Sequence, residues 1–174
     1  MHVFGTLDSL TRNLLLGLQG QTAGLEVGRR GSARSSTPYP TSGDLERALI
    51  PIFANHGFDH HVAVLHPRTG ERFEYDFYLK EPGVAVEIMG YRADDEVYKD
   101  ILKFHVHEGT RVGVVWVPRH KWVSGKAGAT NYRAALKALA FAESFMRVEA
   151  LVAFAYDWGR ASTDSWILTH VAPE

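Results

Sequence analysis

Residues 72–89 constrain this chain more than any other stretch. Arg72–Leu79 alternates Phe73, Tyr75, Phe77 and Leu79 against Glu74, Asp76 and Tyr78, the period of a strand with one buried face. Glu81-Pro82-Gly83 has turn composition, and Val84–Met89 is a second, mostly apolar strand. Strands joined by so tight a turn form an antiparallel hairpin, in which opposed residues have numbers of constant sum. A turn centred between residues 81 and 82 sets Asp76 opposite Glu87. A turn centred one residue later pairs Asp76 with Met89 and leaves it diagonal to Glu87. Either way the two carboxylates share a face and repel unless a cation compensates. A lone ionised Glu87 among Val84, Ala85, Val86 and Ile88 is also costly to bury. Mg2+ meets both demands, because it takes one or two carboxylates together with waters and phosphate oxygens; Mn2+ is the alternative. The competing expectation is a surface hairpin in which Glu87 pairs with Arg72 or Lys80.

Around this hairpin the pattern alternates. Leu7–Leu18 has Leu7, Leu10, Leu14, Leu15 and Leu18 at helical spacing, with Thr6 or Asp8 as cap. Gly20–Gly43 has the Gly, Ser, Thr and Pro content of a loop and carries Arg29, Arg30 and Arg34. A helix is expected from Ser42 or Asp44 to His56, and a strand over His61–His66 that turns at Pro67-Arg68-Thr69-Gly70. Asp94–Glu108 reads as a helix whose apolar face is Tyr98, Ile101, Leu102 and Val106. Arg111–Val117 is a buried-type strand, Asn131–Arg147 a long helix, Ala150–Tyr156 a core strand and Ser165–Val171 an edge strand. Hairpins first and strand–helix alternation later describe an α/β domain with a mixed sheet flanked by helices. The expected division is residues 1–43, a helix with an Arg/Gly/Ser-rich arm, and residues 44–174, the main domain.

Tyr75-Asp76-Phe77, Val86-Glu87-Ile88-Met89-Gly90, Tyr98-Lys99-Asp100-Ile101-Leu102-Lys103-Phe104 and the strand Val112–Pro118 together resemble the core of the PD-(D/E)XK nucleases, in particular restriction endonucleases of the BglII and BstYI type. The resemblance spans about residues 44 to 157. It implies a restriction-endonuclease-like fold and Mg2+-dependent hydrolysis of DNA phosphodiesters. Asp76, Glu87 and the Ile88 carbonyl are then the metal ligands, and Glu46 on the first core helix points to the same site. The third motif position, usually Lys or a Gln-like residue, is Met89, whose thioether is a weak acceptor and no donor. The resemblance favours Lys103 as its substitute, with Lys99 second; both flank the apolar face of their helix on one side. The alternative is a catalytically impaired nuclease fold that binds nucleic acid or protein, and Met89 is the feature that favours it.

Lys and Arg number 19 against 20 Asp and Glu, which excludes a histone-like polycation but not a local basic groove. Arg29, Arg30, Arg34, Arg92, Arg119, Lys121 and Lys126 are the candidate DNA contacts. With no cysteine, thiol catalysis and Cys-type zinc sites are excluded. The histidines show no zinc-protease spacing: His60 and His61 are adjacent, and His105 and His107 are two apart on a helix. Leu14–Leu18 falls far short of the ~18 residues of a membrane span, and Asp8 and Arg12 break any secretory pattern. The expectation is a cytoplasmic protein. Cutting both strands of a palindrome is simplest for a two-fold dimer, and the Leu-rich helix is the candidate interface.

Overall fold

The computed structural model describes residues 1–28, 39–89, 94–119 and 131–171. The elements are β1 (His2–Gly5), α1 (Ser9–Thr22), β2 (Glu26–Gly28), α2 (Ser42–Asn55), β3 (Asp59–Leu65), β4 (Arg72–Leu79), β5 (Val84–Ile88), α3 (Asp94–Val106), β6 (Val112–Pro118), α4 (Asn131–Glu143), β7 (Ala150–Arg160) and β8 (Ser165–His170). The eight strands form one mixed sheet in the order β2-β8-β7-β6-β5-β4-β3, with β1 paired to β7. β5, β6 and β7 run parallel, and the remaining pairings are antiparallel. This is the mixed, helix-flanked sheet expected from the sequence.

Both faces are covered. Leu15 and Leu18 of α1 and Leu45, Leu49 and Phe53 of α2 pack on Phe77, Val84, Val86, Val114, Trp116 and Phe154. On the other face Ile101 and Phe104 of α3 and Ala135, Ala138 and Leu139 of α4 pack on Ala85, Val115, Val117 and Ala153. A parallel strand between two helical layers has no polar side, and every residue of β6 is buried.

α1 and α2 both start at capping residues. The Asp8 carboxylate accepts from Thr11 N at 2.9 Å at the start of α1. Thr41 and Asp44 form a reciprocal capping box at the start of α2. That box leaves Glu46 in the first turns of α2, over the start of β3.

The structure departs from expectation at several places: α4 ends at Glu143 rather than Arg147, and β7 continues past Tyr156 to Arg160. β1 and β2 are additional strands, and β2 lies within the stretch expected as loop. They hold four and three residues, too few to display a period, and Val27 is the one buried residue of β2. The inward face of α3 is Ile101 and Phe104, while Tyr98 and Leu102 stand 47% and 51% exposed. Gly113 sets this rotation: a Cβ there would lie 2.3 Å from the Phe104 ring, so the ring beds directly on the β6 backbone. In α1, Leu15 and Leu18 enter the core, whereas Leu10 and Leu16 remain exposed. Among the described residues no helix is long and apolar enough to cross a membrane.

Candidate active site

The β4–β5 register pairs Phe77 with Val86, Tyr78 with Ala85 and Leu79 with Val84, so the next step sets Asp76 opposite Glu87. This is the register of a turn centred between residues 81 and 82. Beyond that point β4 does not continue its alternation. Phe77 and Leu79 belong to the α1/α2 face, but Phe73 and Tyr75 belong to the α3/α4 face. The strand therefore changes face at Asp76. Its neighbour β3 does the same: His60 pairs with Phe77 and Val62 with Tyr75, the intervening His61–Asp76 pair is missing from the ladder, and His61 has φ +54°.

This kink frees backbone groups for the site. In an unbroken ladder Ile88 would stand opposite Tyr75. Instead its N–H donates to Asp76 Oδ2 at 2.6 Å. A residue's N–H and C=O point the same way in a strand, so the Ile88 carbonyl is directed to the Asp76 side as well. The Glu74 carbonyl accepts from Lys103 Nζ at 3.2 Å, and the Tyr75 hydroxyl donates to the Lys103 carbonyl at 2.9 Å. α3 is thus tied to the kink at two points.

Lys103 reaches the carboxylates because α3 presents Phe104 inward. Its Nζ lies 3.0 Å from Glu87 Oε1 and 2.9 Å from Asp100 Oδ1. With the Glu74 carbonyl, that makes three acceptors for the three donors of an ammonium. Lys99 is exposed on the same helix. Met89 packs into the α3/α4 core, and its carbonyl accepts from the Tyr156 hydroxyl at 3.2 Å. Of the two lysines anticipated from the sequence, Lys103 meets the carboxylates.

Burial dominates the electrostatics of the two carboxylates. Glu87 is 3% exposed. Burial first, and then Asp100 and Asp76, push its pKa well above the ordinary carboxylate range against the pull of Lys103. Burial raises the Asp76 pKa to about 6; Glu46 and Asp100 add to this, while the Ile88 N–H and Lys103 oppose it. Burial alone would lower the Lys103 pKa, but Glu87 and Asp100 outweigh it and keep the amine charged. Among the described residues Lys103 pairs with Glu87 and Asp100, and its charge also acts on Asp76. Opposed carboxylate oxygens are what a hard divalent cation requires, so these residues fit Mg2+ or Mn2+.

Glu46 adjoins this cluster on the α2 side, where its Oε1 lies 2.5 Å from His60 Nε2 and 2.6 Å from His61 Nε2. Sequence reasoning missed Asp100, His60 and His61. Asp100 stands one turn before Lys103, an i, i+3 neighbour on one helix face. The turn at Pro67–Gly70 already opposes His61 to Asp76. Of the candidate DNA contacts, Arg119 is half-buried, and its N–H donates to the Tyr156 carbonyl at 2.7 Å. Arg29, Arg30, Arg34, Arg92, Lys121 and Lys126 lie outside the described residues.

A family model described as "Putative halobacteria restriction endonuclease" matches residues 27–156, a span that contains Glu46, Asp76, Glu87 and Lys103. No curated protein matches the chain. Among solved structures, that of the restriction endonuclease BglII complexed with a DNA 16-mer is similar, with a TM-score of 0.55 and 11% identity over 98% of this chain and 90% of that one. At that identity the likeness concerns the fold.

Proposed function

The chain belongs to that restriction endonuclease family, and from this premise we propose that it hydrolyses DNA phosphodiester bonds with Mg2+ or Mn2+ held by Asp76, Glu87 and the Ile88 carbonyl. The observation that carries this reading is the opposed pair itself: the register sets Asp76 across from Glu87, Lys103 bonds Glu87 on one oxygen, and burial raises the pKa values of both carboxylates. When bound, the ion supplies Lewis-acid activation of water and offsets charge on the phosphate. The residues do the positioning. Ile88 N–H fixes one Asp76 oxygen and Lys103 fixes one Glu87 oxygen, which leaves Oδ1 and Oε2 for a ligand. Lys103 brings positive charge to the attacked phosphate, and its half-exposed bond to Asp100 is the one a substrate oxygen replaces. Arg119 and the six basic residues outside the described segments are the proposed backbone contacts. A homodimer with one site per strand is proposed, with exposed Leu10 and Leu16 of α1 at its interface, acting in the cytoplasm.

Plasmid cleavage with Mg2+, Mn2+ or chelator tests this reading. Cutting that needs the ion and is abolished in both Asp76→Asn and Glu87→Gln is the expected result; full activity in either variant overturns it. The second reading is a binding module that does not cut. Two observations favour it: Met89 is packed in the core, and the donors of Lys103 are all engaged by the protein. DNA binding without cleavage in any metal selects that reading.

A further inference from the structure

Successive residues of a strand project to opposite faces, so adjacent histidines should not share a ligand. His60 and His61 do. The left-handed backbone at His61, φ +54°, turns its ring onto the same side as His60, and the rings stack with centroids 3.9 Å apart. Such a conformation is uncommon outside glycine, though histidine is among the residues enriched in it. Both Nε2 atoms converge on Glu46 Oε1, and the ligand atoms of the three residues lie within 4.8 Å of one another. The second nitrogen of His61 is not idle: Nδ1 stands 3.8 Å from the Glu74 carboxylate.

We infer that Glu46, His60 and His61 form a binding site for a transition-metal dication, Zn2+ above all, which fastens α2 to the kinked β3–β4 edge. Two imidazole nitrogens and one carboxylate oxygen are a common zinc donor set, with a fourth position open to water. Imidazole suits zinc and its first-row neighbours, whereas magnesium takes oxygens, so this site and the Asp76–Glu87 pair select different ions. Zinc bonds of about 2.0–2.1 Å place tetrahedral ligand atoms roughly 3.4 Å apart. The two imidazole–carboxylate separations, 2.5 and 2.6 Å, need to open by less than about 1 Å, which side-chain rotation supplies. Glu74 provides the outer carboxylate that orients a metal-bound imidazole. Access is from solvent, since the His61 side chain is 52% exposed while Glu46 is 17% exposed beneath it. The rival arrangement is a carboxylate that only accepts hydrogen bonds from two imidazoles, with no affinity for metal.

The binding claim does not depend on whether the chain cuts DNA, and its test needs no cleavage. Chelator-stripped full-length chain is titrated calorimetrically with Zn2+ in excess Mg2+, and its thermal melt is followed with and without Zn2+. The expected result is one Zn2+ per chain that Mg2+ does not displace, with a Tm that rises on binding. Affinity falls roughly tenfold or more in His60→Ala, His61→Asn and Glu46→Gln, and is retained in Asp76→Asn and in the distant His105→Ala. His61→Asn keeps a residue that tolerates the left-handed backbone, so it tests the site even if His60→Ala folds poorly. Zinc binding that survives His61→Asn unchanged overturns the inference. So does binding lost in Asp76→Asn but kept in Glu46→Gln, because the ion then sits in the carboxylate pair.

Discussion

Asp76 sits at the one peptide where β4 changes face, and its side chain captures a backbone donor that the sheet would otherwise pair. The same rotation gives the Glu74 carbonyl to Lys103. Removing Lys103 therefore has two consequences. In Lys103→Ala, turnover falls roughly a hundredfold or more while DNA affinity changes little, as for a group that acts mainly in the transition state. Glu87 also loses the cation that lowers its pKa, so the acid limb of the rate profile moves to higher pH. Met89 is two residues beyond Glu87 on the same side of β5, so Met89→Lys in the Lys103→Ala background restores part of the rate. A Lys103→Ala enzyme with wild-type turnover and an unmoved pH profile refutes the role. The carboxylate pair was legible because a turn fixes the register arithmetic. Asp100 and the two histidines were not, because their roles depend on a helix rotation and a backbone torsion that leave no periodic trace.

At the scale of elements, α3 delivers Asp100 and Lys103 as a unit, and Gly113 determines how closely that unit approaches the sheet. The extents of α2, β4, β5 and β6 could be read within a residue or two, since each carries a cap, a turn or an unbroken apolar run. The face of α3 could not: Tyr98, Ile101, Leu102 and Val106 make a plausible stripe, but the depth available over Gly113 selects Phe104. Gly113→Ala forces the ring outward and costs about 1–3 kcal/mol of stability. Because α3 shifts with it, cleavage falls by more than the lost folded fraction explains. Urea unfolding and single-turnover cleavage of the folded variant measure the two effects. A variant within about 0.5 kcal/mol of the parent shows that α3 is positioned otherwise.

For the whole molecule, two half-buried groups, His170 and Asp76, give stability opposite dependences on pH. On one side, the His170 Nε2 lies 2.7 Å from Thr22 Oγ1, and burial lowers its pKa to about 4. A histidine depressed in this way stabilises the fold above its unfolded pKa near 6.5, and the contribution is lost as pH falls toward 4. On the other side, Asp76 is raised from 3.8 to about 6. Its contribution is fully present below pH 3.8 and is lost as pH rises through 6, because the native state holds the proton longer than the unfolded chain. In chelator, Asp76→Asn should therefore match the wild type near pH 4 and become more stable than it by roughly 2–3 kcal/mol at pH 7. His170→Gln, which keeps a donor for Thr22, should gain on the wild type in the opposite direction, from pH 6.5 down to 4. Adding Mg2+ at pH 7 should stabilise the wild type and leave Asp76→Asn unmoved, since binding requires the ionised carboxylate. Denaturant midpoints across this range measure all three effects. An Asp76→Asn curve parallel to the wild type at every pH, with equal response to Mg2+, refutes the burial of Asp76 as the source of its raised pKa and with it the opposed carboxylate pair on which the metal site rests.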